Sequence, residues 1–359
     1  MSRATLATIH LGALRRNLVR VRELARGARV MAVVKADGYG HGLERVARAL
    51  GDADAFGVAA LGDGLRLRAA GINKRVVVLS GPDEPADLAE FRRLHLEAVI
   101  HHEAQLRWLE GDRDPRPLRV WLKIDSGMHR LGFDPSSVAS VGARLRALSN
   151  VHADRVWMTH LAASDEFDNP MTVAQIACFE SATAGLGGAR ALANSAGLLA
   201  WPGARGDWVR VGGLLYGLSV IEGKCGGDLG FAAAMTLSAR LISIKTVRAG
   251  ETIGYAATWR CPEDMPVGVA SIGYGDGYPR SAASGTPVLI NGRRTAIVGR
   301  VSMDLITIDL RGIGAQVGDR VVLWGQGLPV EEIARHATTI SYDLTCGVTR
   351  RVLFVEDNE

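Results

Sequence analysis

The stretch Val33–Gly42, with the sequence VVKADGYGHG, places a lysine between an apolar run and a cluster of glycines. The run Val30–Val34 is typical of a strand buried on both faces, and the glycines predict that it opens onto a loop at Lys35. A lysine that loses water there holds its proton less tightly, so its amine could act as a nucleophile or a base. The glycines would let a bound molecule lie against the backbone. Considered alone, such a lysine is more often a surface residue after a turn.

Polar residues also follow later apolar runs of the sequence, where further strands are predicted to end. They are Lys123 and Asp125, then His160, then Asn194 and Ser195, and finally Arg210, Gly212 and Gly213. Ser195 and the two glycines offer a hydroxyl and two unobstructed backbone amides, which suit a phosphate group. A lysine, a phosphate cradle and an inward-facing arginine together outline a site for pyridoxal 5'-phosphate. Singly, His160 is typical of a core histidine and Ser195 of a helix cap, but their place at successive strand ends favours one shared site.

Short apolar runs alternate with longer amphipathic stretches through the first two thirds of the chain. The eight runs are Val30–Lys35, Ala55–Ala60, Val76–Ser80, Ala98–His101, Val120–Asp125, Val156–Leu161, Ala189–Asn194 and Trp208–Tyr216. Eight strand-and-helix units over roughly 200 residues predict a (β/α)8 barrel, in which functional residues gather at the carboxyl ends of the strands. A doubly wound open sheet is the alternative fold, but no GxGxxG turn supports it.

The last third of the chain has a different pattern. From about Phe231 the apolar residues follow a period of two, and Leu289–Arg294 carries a strong Asn-Gly hairpin signal. We therefore predict an α/β chain with a TIM-type barrel over residues 11–230 and a mostly antiparallel β domain over residues 231–359.

The opening segment Ala4–His10 reads as a strand that does not belong to the barrel. The stretch Leu11–Arg26 after it reads as a helix and separates it from the first barrel strand. We predict that residues 1–10 join the C-terminal β domain.

The composition limits the classes of function. Of 359 residues, 47% are hydrophobic and 22% are charged, and the formal net charge is only +4. The arginine pairs are scattered without an aromatic stripe, so nucleic-acid binding is not supported. The four cysteines show no CxxC pair and no metal-ligand spacing, which is typical of reduced thiols in a cytoplasmic protein without a metal site. No stretch reaches the roughly 18 apolar residues of a membrane helix, and no signal peptide is predicted.

The motifs of the chain resemble those of the alanine racemase family, over essentially the whole sequence. Val33–Gly42 is similar to the family's cofactor-attachment signature, and Lys123–Gly132 is similar to a motif on its fifth barrel strand. Similar segments of the β domain are Gly254–Ala257, Gly273–Tyr278, Gly299–Asp304 and Ile340–Asp343. The resemblance implies a fold-type III pyridoxal 5'-phosphate enzyme that interconverts L-alanine and D-alanine, a peptidoglycan precursor.

The resemblance also implies roles for residues around the cofactor. Lys35 would attach pyridoxal 5'-phosphate as a Schiff base, and Arg210 would face the pyridine nitrogen. Arg130 would lie near the phenolic oxygen and, like Met303, near the substrate. The other implied cofactor contacts are Tyr39, Ser195, Gly212 and Gly213 at the phosphate, together with His160, Asn194 and Tyr342. Lys123 is at the position where many relatives carry a carbamate.

Racemisation removes the α-proton from one face of alanine and returns a proton on the other, so two bases are the simplest solution. The resemblance implies Lys35 for one face and Tyr255 of the partner subunit for the other, in a head-to-tail homodimer across which Met303 also reaches. A tyrosine is a poor base unless its phenolate is stabilised, and His160 and Arg210 could form a hydrogen-bond chain for that purpose. The residues implied at the substrate entrance are Asp165, Arg300 and Val348.

At one position the sequence departs from many relatives, which carry a tyrosine near the phosphate where this chain has Arg350. An arginine there could neutralise the phosphate equally well, or could alter the pocket enough to admit serine or longer amino acids.

The alternatives to an alanine racemase are a broader-specificity racemase, a decarboxylase of the same fold type, a non-catalytic pyridoxal phosphate carrier and a sugar-phosphate barrel enzyme. Val33–Gly42 disfavours the decarboxylase, and the β domain disfavours the carrier.

Overall fold

A computed structural model of the protein describes residues 5–359. In it, strand β1 (Leu6–His10) leads into the helix Leu11–Ala25. A closed barrel of eight parallel strands follows. These strands are Arg29–Val33 (β2), Ala55–Val58 (β3), Arg75–Val78 (β4), Glu97–Ile100 (β5), Val120–Lys123 (β6), Val156–Met158 (β7), Ala189–Ala191 (β8) and Trp208–Val211 (β9). Pairing of β2 with β9 closes the barrel. The predicted (β/α)8 barrel is confirmed.

Helices connect the barrel strands. They are Leu43–Ala49, Leu61–Ala69, Asp87–Arg93, Glu103–Gly111, Val138–Ala147, Met171–Ala182 and Ser195–Ala200, with a tight helical turn at Lys35–Tyr39. No helix within residues 5–359 has both the length and the apolar character needed to cross a membrane.

The inside of the barrel is a packed core. Side chains from all eight strands fill it, and two tryptophans, Trp121 and Trp208, meet edge to face with ring centroids 5.3 Å apart. The buried Glu97 carboxylate accepts hydrogen bonds from Trp121 Nε1 at 2.8 Å and from Arg75 Nε at 2.6 Å. A barrel filled in this way is not a pore, so a ligand must bind at one of its ends.

The eighth predicted barrel strand, Trp208–Tyr216, is too long. Strand β9 ends at Val211, and the last four predicted residues, Gly213–Tyr216, form a 3-10 turn. This turn is as fully buried as the strand, so its side chains continue the apolar run. An apolar pattern alone cannot distinguish a short buried helical turn from a buried strand.

The rest of the chain is a mostly antiparallel β domain, as predicted. Its strands are Met235–Val247 (β10), Thr252–Ile253 (β11), Trp259–Arg260 (β12), Met265–Ala270 (β13), Pro287–Ile290 (β14), Arg293–Ala296 (β15), Ile306–Asp309 (β16), Arg320–Trp324 (β17) and Leu353–Asp357 (β18). The main sheet has the order β15-β14-β17-β10-β1-β18, and β13 pairs with β10 and β16. Two helices that the period-two pattern did not predict, Val330–His336 and Ser341–Cys346, precede β18.

Strand β1 lies inside this sheet. It pairs antiparallel with β10 and parallel with β18. His10 reinforces both pairings, since its Nδ1 lies 2.8 Å from Asp357 Oδ2 and its Nε2 lies 2.8 Å from Thr236 Oγ1. The first residue of the predicted strand, Ala4, is outside the described residues. A domain boundary near residue 231, with β1 assigned to the β domain, is our proposal for the domain organisation.

Candidate active site

The carboxyl ends of the barrel strands surround a cavity of about 810 Å³. Most of the predicted site residues line it, namely Lys35, Tyr39, Lys123, Arg130, His160, Asp165, Asn194, Ser195, Arg210, Gly212, Gly213 and Tyr342. Tyr342 comes from the β domain, on the helix Ser341–Cys346, so the cavity lies where that domain meets the barrel. Four predicted residues lie outside the lining of this cavity: Tyr255, Arg300, Met303 and Val348.

Lys35 lies two residues beyond the end of the first barrel strand, not at its end as predicted. Strand β2 ends at Val33, and Lys35 begins the turn Lys35–Tyr39. Its side chain lines the cavity, where protein atoms replace part of the surrounding water. This desolvation, and next the positive charge of Arg130, lowers the pKa of Lys35 below its usual range. More of the amine is therefore uncharged near neutral pH, as a nucleophile or a base requires.

Lys123 is a second lysine of the cavity, and it is buried. Burial, followed by the charges of Arg210 and Arg130, lowers the pKa of Lys123 to about 8. The four basic side chains in this part of the site, including Lys35, repel one another. They create a strong preference for bound anions.

Arg210 is held by the barrel backbone. Its guanidinium donates hydrogen bonds to the carbonyl oxygens of Ala191, Thr159 and Leu192. Burial lowers the pKa of Arg210 to about 10, so the group stays charged at neutral pH. Burial, and next the charge of Arg210, lowers the pKa of His160 well below its usual range. His160 is therefore a neutral imidazole beside a fixed cation.

Ser195 is the first residue of the helix Ser195–Ala200, and Asn194 caps that helix by accepting from the Gly197 amide at 2.8 Å. The Gly212 amide donates to Ser195 Oγ at 3.1 Å. One of the two glycine amides predicted to be unobstructed is thus already paired. Because Ser195 Oγ accepts this bond, the hydroxyl proton of Ser195 remains available to an anion in the cavity.

Two tyrosine hydroxyls lie directly against the glycines that follow β9. A methyl group on Gly212 would overlap Tyr39 Oη, and one on Gly213 would overlap Tyr342 Oη. Burial raises the pKa of Tyr39 to about 12, so its hydroxyl remains a proton donor. Only residues without a Cβ allow both hydroxyls to approach this closely, and together with Ser195 they form a set of donors suited to an anion.

Three of the outlying predicted residues, Tyr255, Arg300 and Met303, lie on the exposed surface of the β domain. Tyr255 begins the 3-10 turn Tyr255–Ala257, and its side chain is 67% exposed. Val348 is half-buried and follows the helix that carries Tyr342. One chain therefore brings together the residues predicted around the cofactor, but it does not bring Tyr255 to them.

Two residues that support the site were not predicted. The ring of Tyr216 stacks on Tyr39 with 4.7 Å between centroids, and its hydroxyl donates to the carbonyl of Val33 at 3.0 Å. Ser164 lines the cavity and donates to Asn194 Oδ1 at 2.8 Å. A tyrosine within an apolar run is a weak signal, because its buried hydroxyl needs a partner. No sequence pattern marks Ser164.

Two family models together match nearly the whole chain. The model of the alanine racemase N-terminal domain matches residues 9–220, and the model of the alanine racemase C-terminal domain matches residues 234–355.

Individual relatives agree with the family models. An alanine racemase of Shewanella baltica (strain OS185) is 50% identical over 348 residues, which cover 96% of this chain and 97% of that protein. The solved biosynthetic alanine racemase from Pseudomonas aeruginosa is 42% identical, with a TM-score of 0.95 and 99% of both chains covered. The solved alanine racemase from Acinetobacter baumannii is 34% identical, with a TM-score of 0.93 over 99% of this chain and 100% of that chain. This chain therefore belongs to the alanine racemases, a family of isomerases.

Proposed function

We propose that this racemase interconverts L-alanine and D-alanine with pyridoxal 5'-phosphate, using Lys35 on one face of the substrate and Tyr255 of the partner subunit on the other. The observation that carries the proposal is the meeting of a lysine of lowered pKa with Arg130, Arg210 and a row of hydroxyl donors in one cavity. This combination supplies an amine for covalent attachment and a cationic, donor-rich pocket for a phosphate ester.

The residues present fit the cofactor in charge and in space. Arg210 would face the pyridine nitrogen and Arg130 the phenolic oxygen. The residues that would hold the phosphate are Tyr39, Ser195, Gly212 and Gly213, with His160, Asn194 and Tyr342 alongside. When bound, the cofactor supplies an electron sink for the charge left on the α-carbon after proton removal. The packing of tyrosine hydroxyls against glycines supports this assignment, since a side chain at either glycine would occupy the same space.

Two residues of this chain would move the protons. Lys35, with its lowered pKa, would take the α-proton of D-alanine or deliver one to form D-alanine. Tyr255 of the partner subunit would do the same on the L face. Arg130 and Met303 would contact the substrate, with Asp165, Arg300 and Val348 at its entrance. With bases on opposite faces, a proton removed from one face can be replaced on the other, and this inverts the α-carbon.

An exposed apolar surface of the β domain supports the proposed homodimer. Tyr255 is 67% exposed, Met303 52%, Tyr274 38% and Leu305 38%. The segments carrying the last three are joined, since the Gly275 amide donates to the Met303 carbonyl at 2.9 Å. A patch of large apolar side chains is a common mark of a protein interface. A second copy of this chain would cover it and carry Tyr255 to the partner's cavity.

Lys123 is the proposed site of a carbamate. With a pKa of about 8, a substantial fraction of its amine is neutral near pH 7.5, and only a neutral amine adds carbon dioxide. The resulting anion would pair with Arg130 and reduce the repulsion among the cations of the cavity. Mass measurement of the intact protein under bicarbonate tests this modification.

The visible spectrum of the purified protein, before and after borohydride, tests the cofactor assignment. We expect an absorption band that borohydride removes, with the reduced cofactor mapped to Lys35. A colourless, borohydride-inert protein would contradict it.

Turnover of L-alanine, L-serine and L-lysine, measured side by side, tests the substrate, and similar turnover of all three would favour a broader-specificity racemase.

We expect Gly212→Ala to weaken the affinity for pyridoxal 5'-phosphate by about tenfold or more, because the added methyl group displaces Tyr39 Oη from the phosphate site. The measurement is a titration of protein freed of cofactor. Gly203→Ala is the matched control, since a methyl group at Gly203 meets nothing within 4 Å. Equal losses in both variants would show that the affinity for pyridoxal 5'-phosphate does not depend on the contact between residue 212 and Tyr39.

We expect Arg210→Glu to depress racemisation and to raise transamination. An arginine cannot accept a proton and so keeps the ring nitrogen it faces unprotonated, whereas a carboxyl group would protonate it and strengthen the electron sink. The measurement is the ratio of D-alanine to pyruvate formed from L-alanine. An unchanged ratio would count against the assigned position of Arg210.

A further inference from the structure

Five consecutive residues after Lys35 adopt a left-handed backbone. The φ angles are 52° at Ala36, 53° at Asp37, 63° at Gly38, 53° at Tyr39 and 79° at Gly40. This conformation is unfavourable for residues with a Cβ, and runs of it are rare because each residue adds to the cost. The turn joins the proposed cofactor lysine to the proposed phosphate ligand Tyr39. Contacts around it must therefore hold it in place.

The carbonyl groups of the turn are paired in two different ways. Three of them accept hydrogen bonds from later backbone amides. The Ala36 carbonyl accepts from Gly40 at 3.0 Å, the Gly38 carbonyl from His41 at 3.0 Å, and the Asp37 carbonyl from Gly42 at 2.8 Å. The carbonyl oxygen of Tyr39 instead lies 2.9 Å from Nδ1 of the His41 side chain. The left-handed residue nearest the phosphate site is thus secured by an imidazole.

The hydrogen bond to Tyr39 fixes the tautomer of His41. A carbonyl oxygen can only accept, so Nδ1 must carry the proton. The ring is completely buried, and burial lowers the pKa of His41 to about 4, so it is neutral at physiological pH. Nε2 is then a buried acceptor, and no side chain or backbone group of residues 5–359 pairs with it. The bond to the Tyr39 carbonyl, with the Gly38 carbonyl of the same turn also close to the ring, explains an imidazole at this position.

His41 also braces the aromatic ring beneath Tyr39. Its ring contacts Tyr216 with centroids 4.8 Å apart, and Tyr216 stacks on Tyr39 at 4.7 Å. The Tyr216 hydroxyl is tied to the carbonyl of Val33, two residues before Lys35. His41 itself does not line the cavity that contains Lys35 but lines a separate one of about 440 Å³. Its route to the site runs through Tyr39 and Tyr216.

We propose that His41 is a positioning residue, which holds the left-handed turn by donating from Nδ1 to the Tyr39 carbonyl and so sets the Tyr39 hydroxyl against Gly212. This inference rests on the proposed function, in which Tyr39 binds the phosphate of pyridoxal 5'-phosphate. Without the bond, the turn relaxes toward ordinary backbone angles and the Tyr39 hydroxyl moves away from the phosphate site. Lys35 remains chemically intact.

Two substitutions separate the hydrogen bond from the shape of the side chain. His41→Phe keeps an aromatic ring of similar size without the donor, and His41→Asn keeps an N–H donor near the position of Nδ1. Protein freed of cofactor is titrated with pyridoxal 5'-phosphate and, separately, with pyridoxal, which lacks the phosphate. We expect His41→Phe to weaken pyridoxal 5'-phosphate binding about tenfold, with pyridoxal binding nearly unchanged. We expect His41→Asn to retain most of the affinity.

A double-mutant cycle tests the route through Tyr39. In a Tyr39→Phe background, which lacks the phosphate-binding hydroxyl, adding His41→Phe should cause little further loss of affinity. Chemical unfolding of each variant measures folding separately. Unchanged cofactor affinity in His41→Phe would overturn the proposal, as would equal losses for both ligands or a full additional loss in the Tyr39→Phe background. A wild-type protein that binds neither ligand would overturn the proposed function itself.

Discussion

Replacement of Lys35 by alanine is expected to reduce the racemisation of alanine by about 10³-fold or more, because it removes both the attachment amine and one of the two bases. The expected loss is equally large in both directions. The measurement is the rate of conversion of each isomer, followed by chiral analysis. After borohydride reduction, the peptide of this variant that contains residue 35 should carry no cofactor.

Two other lysines provide the comparison. Lys245 is exposed on β10 and does not line the cavity, so Lys245→Ala should retain wild-type activity. Lys123→Ala removes a buried lysine of the cavity and should lose activity without losing the covalent cofactor. Substantial activity in Lys35→Ala, or covalent cofactor found on Lys123, would contradict the role assigned to Lys35.

Replacement of Tyr255 by phenylalanine is expected to slow exchange of the α-proton of L-alanine by about 10²-fold or more, because the proposed base on that face loses its hydroxyl. Exchange of the α-proton of D-alanine, which Lys35 would perform, should fall much less. The measurement is deuterium uptake from heavy water into each isomer before it is converted. Net racemisation cannot show this asymmetry, since the equilibrium constant fixes the ratio of the two kcat/KM values. Equal losses of exchange would refute the assignment of faces.

Hybrid dimers test whether the two bases come from different subunits. A dimer of one Lys35→Ala chain and one Tyr255→Phe chain would contain one site with both bases and one site with neither. Random mixing of equal amounts makes about half of the dimers hybrid and should restore about a quarter of the wild-type activity. Hybrid dimers can be isolated by giving the two chains different affinity tags. If the isolated hybrid dimers do not racemise alanine, both bases belong to one chain.

The fold could be predicted because the barrel strands are buried on both faces. Runs such as Val30–Val34 and Val76–Val78 are continuously apolar, and their spacing leaves room for one helix between each pair. Prediction was wrong where burial continued without a strand, as at Gly213–Tyr216. It also missed the helices Val330–His336 and Ser341–Cys346, which are too short for a helical period to stand out.

The gathering of the predicted residues around one cavity could be anticipated from the sequence, but their local geometry could not. Polar residues after buried strands stood out, and most of them meet in one cavity. The left-handed turn after Lys35 could not be predicted, because alanine and tyrosine do not favour it. Part of its support also comes from a distant residue, Arg66, which donates to Asp37 Oδ1 at 2.8 Å. The pairing of the Gly212 amide with Ser195 could not be predicted either, because it depends on how β8 and β9, the strands before these residues, lie relative to each other.

The parallel pairing of β1 with β18 sets Leu6 opposite Leu353 and His10 opposite Asp357. The barrel has all of its strands at Val211, whereas β1 pairs only with strands that follow the barrel in the sequence. Until those strands have been synthesised, both edges of β1 are open, and an open edge invites wrong partners. The barrel can therefore form before the sheet that contains β1.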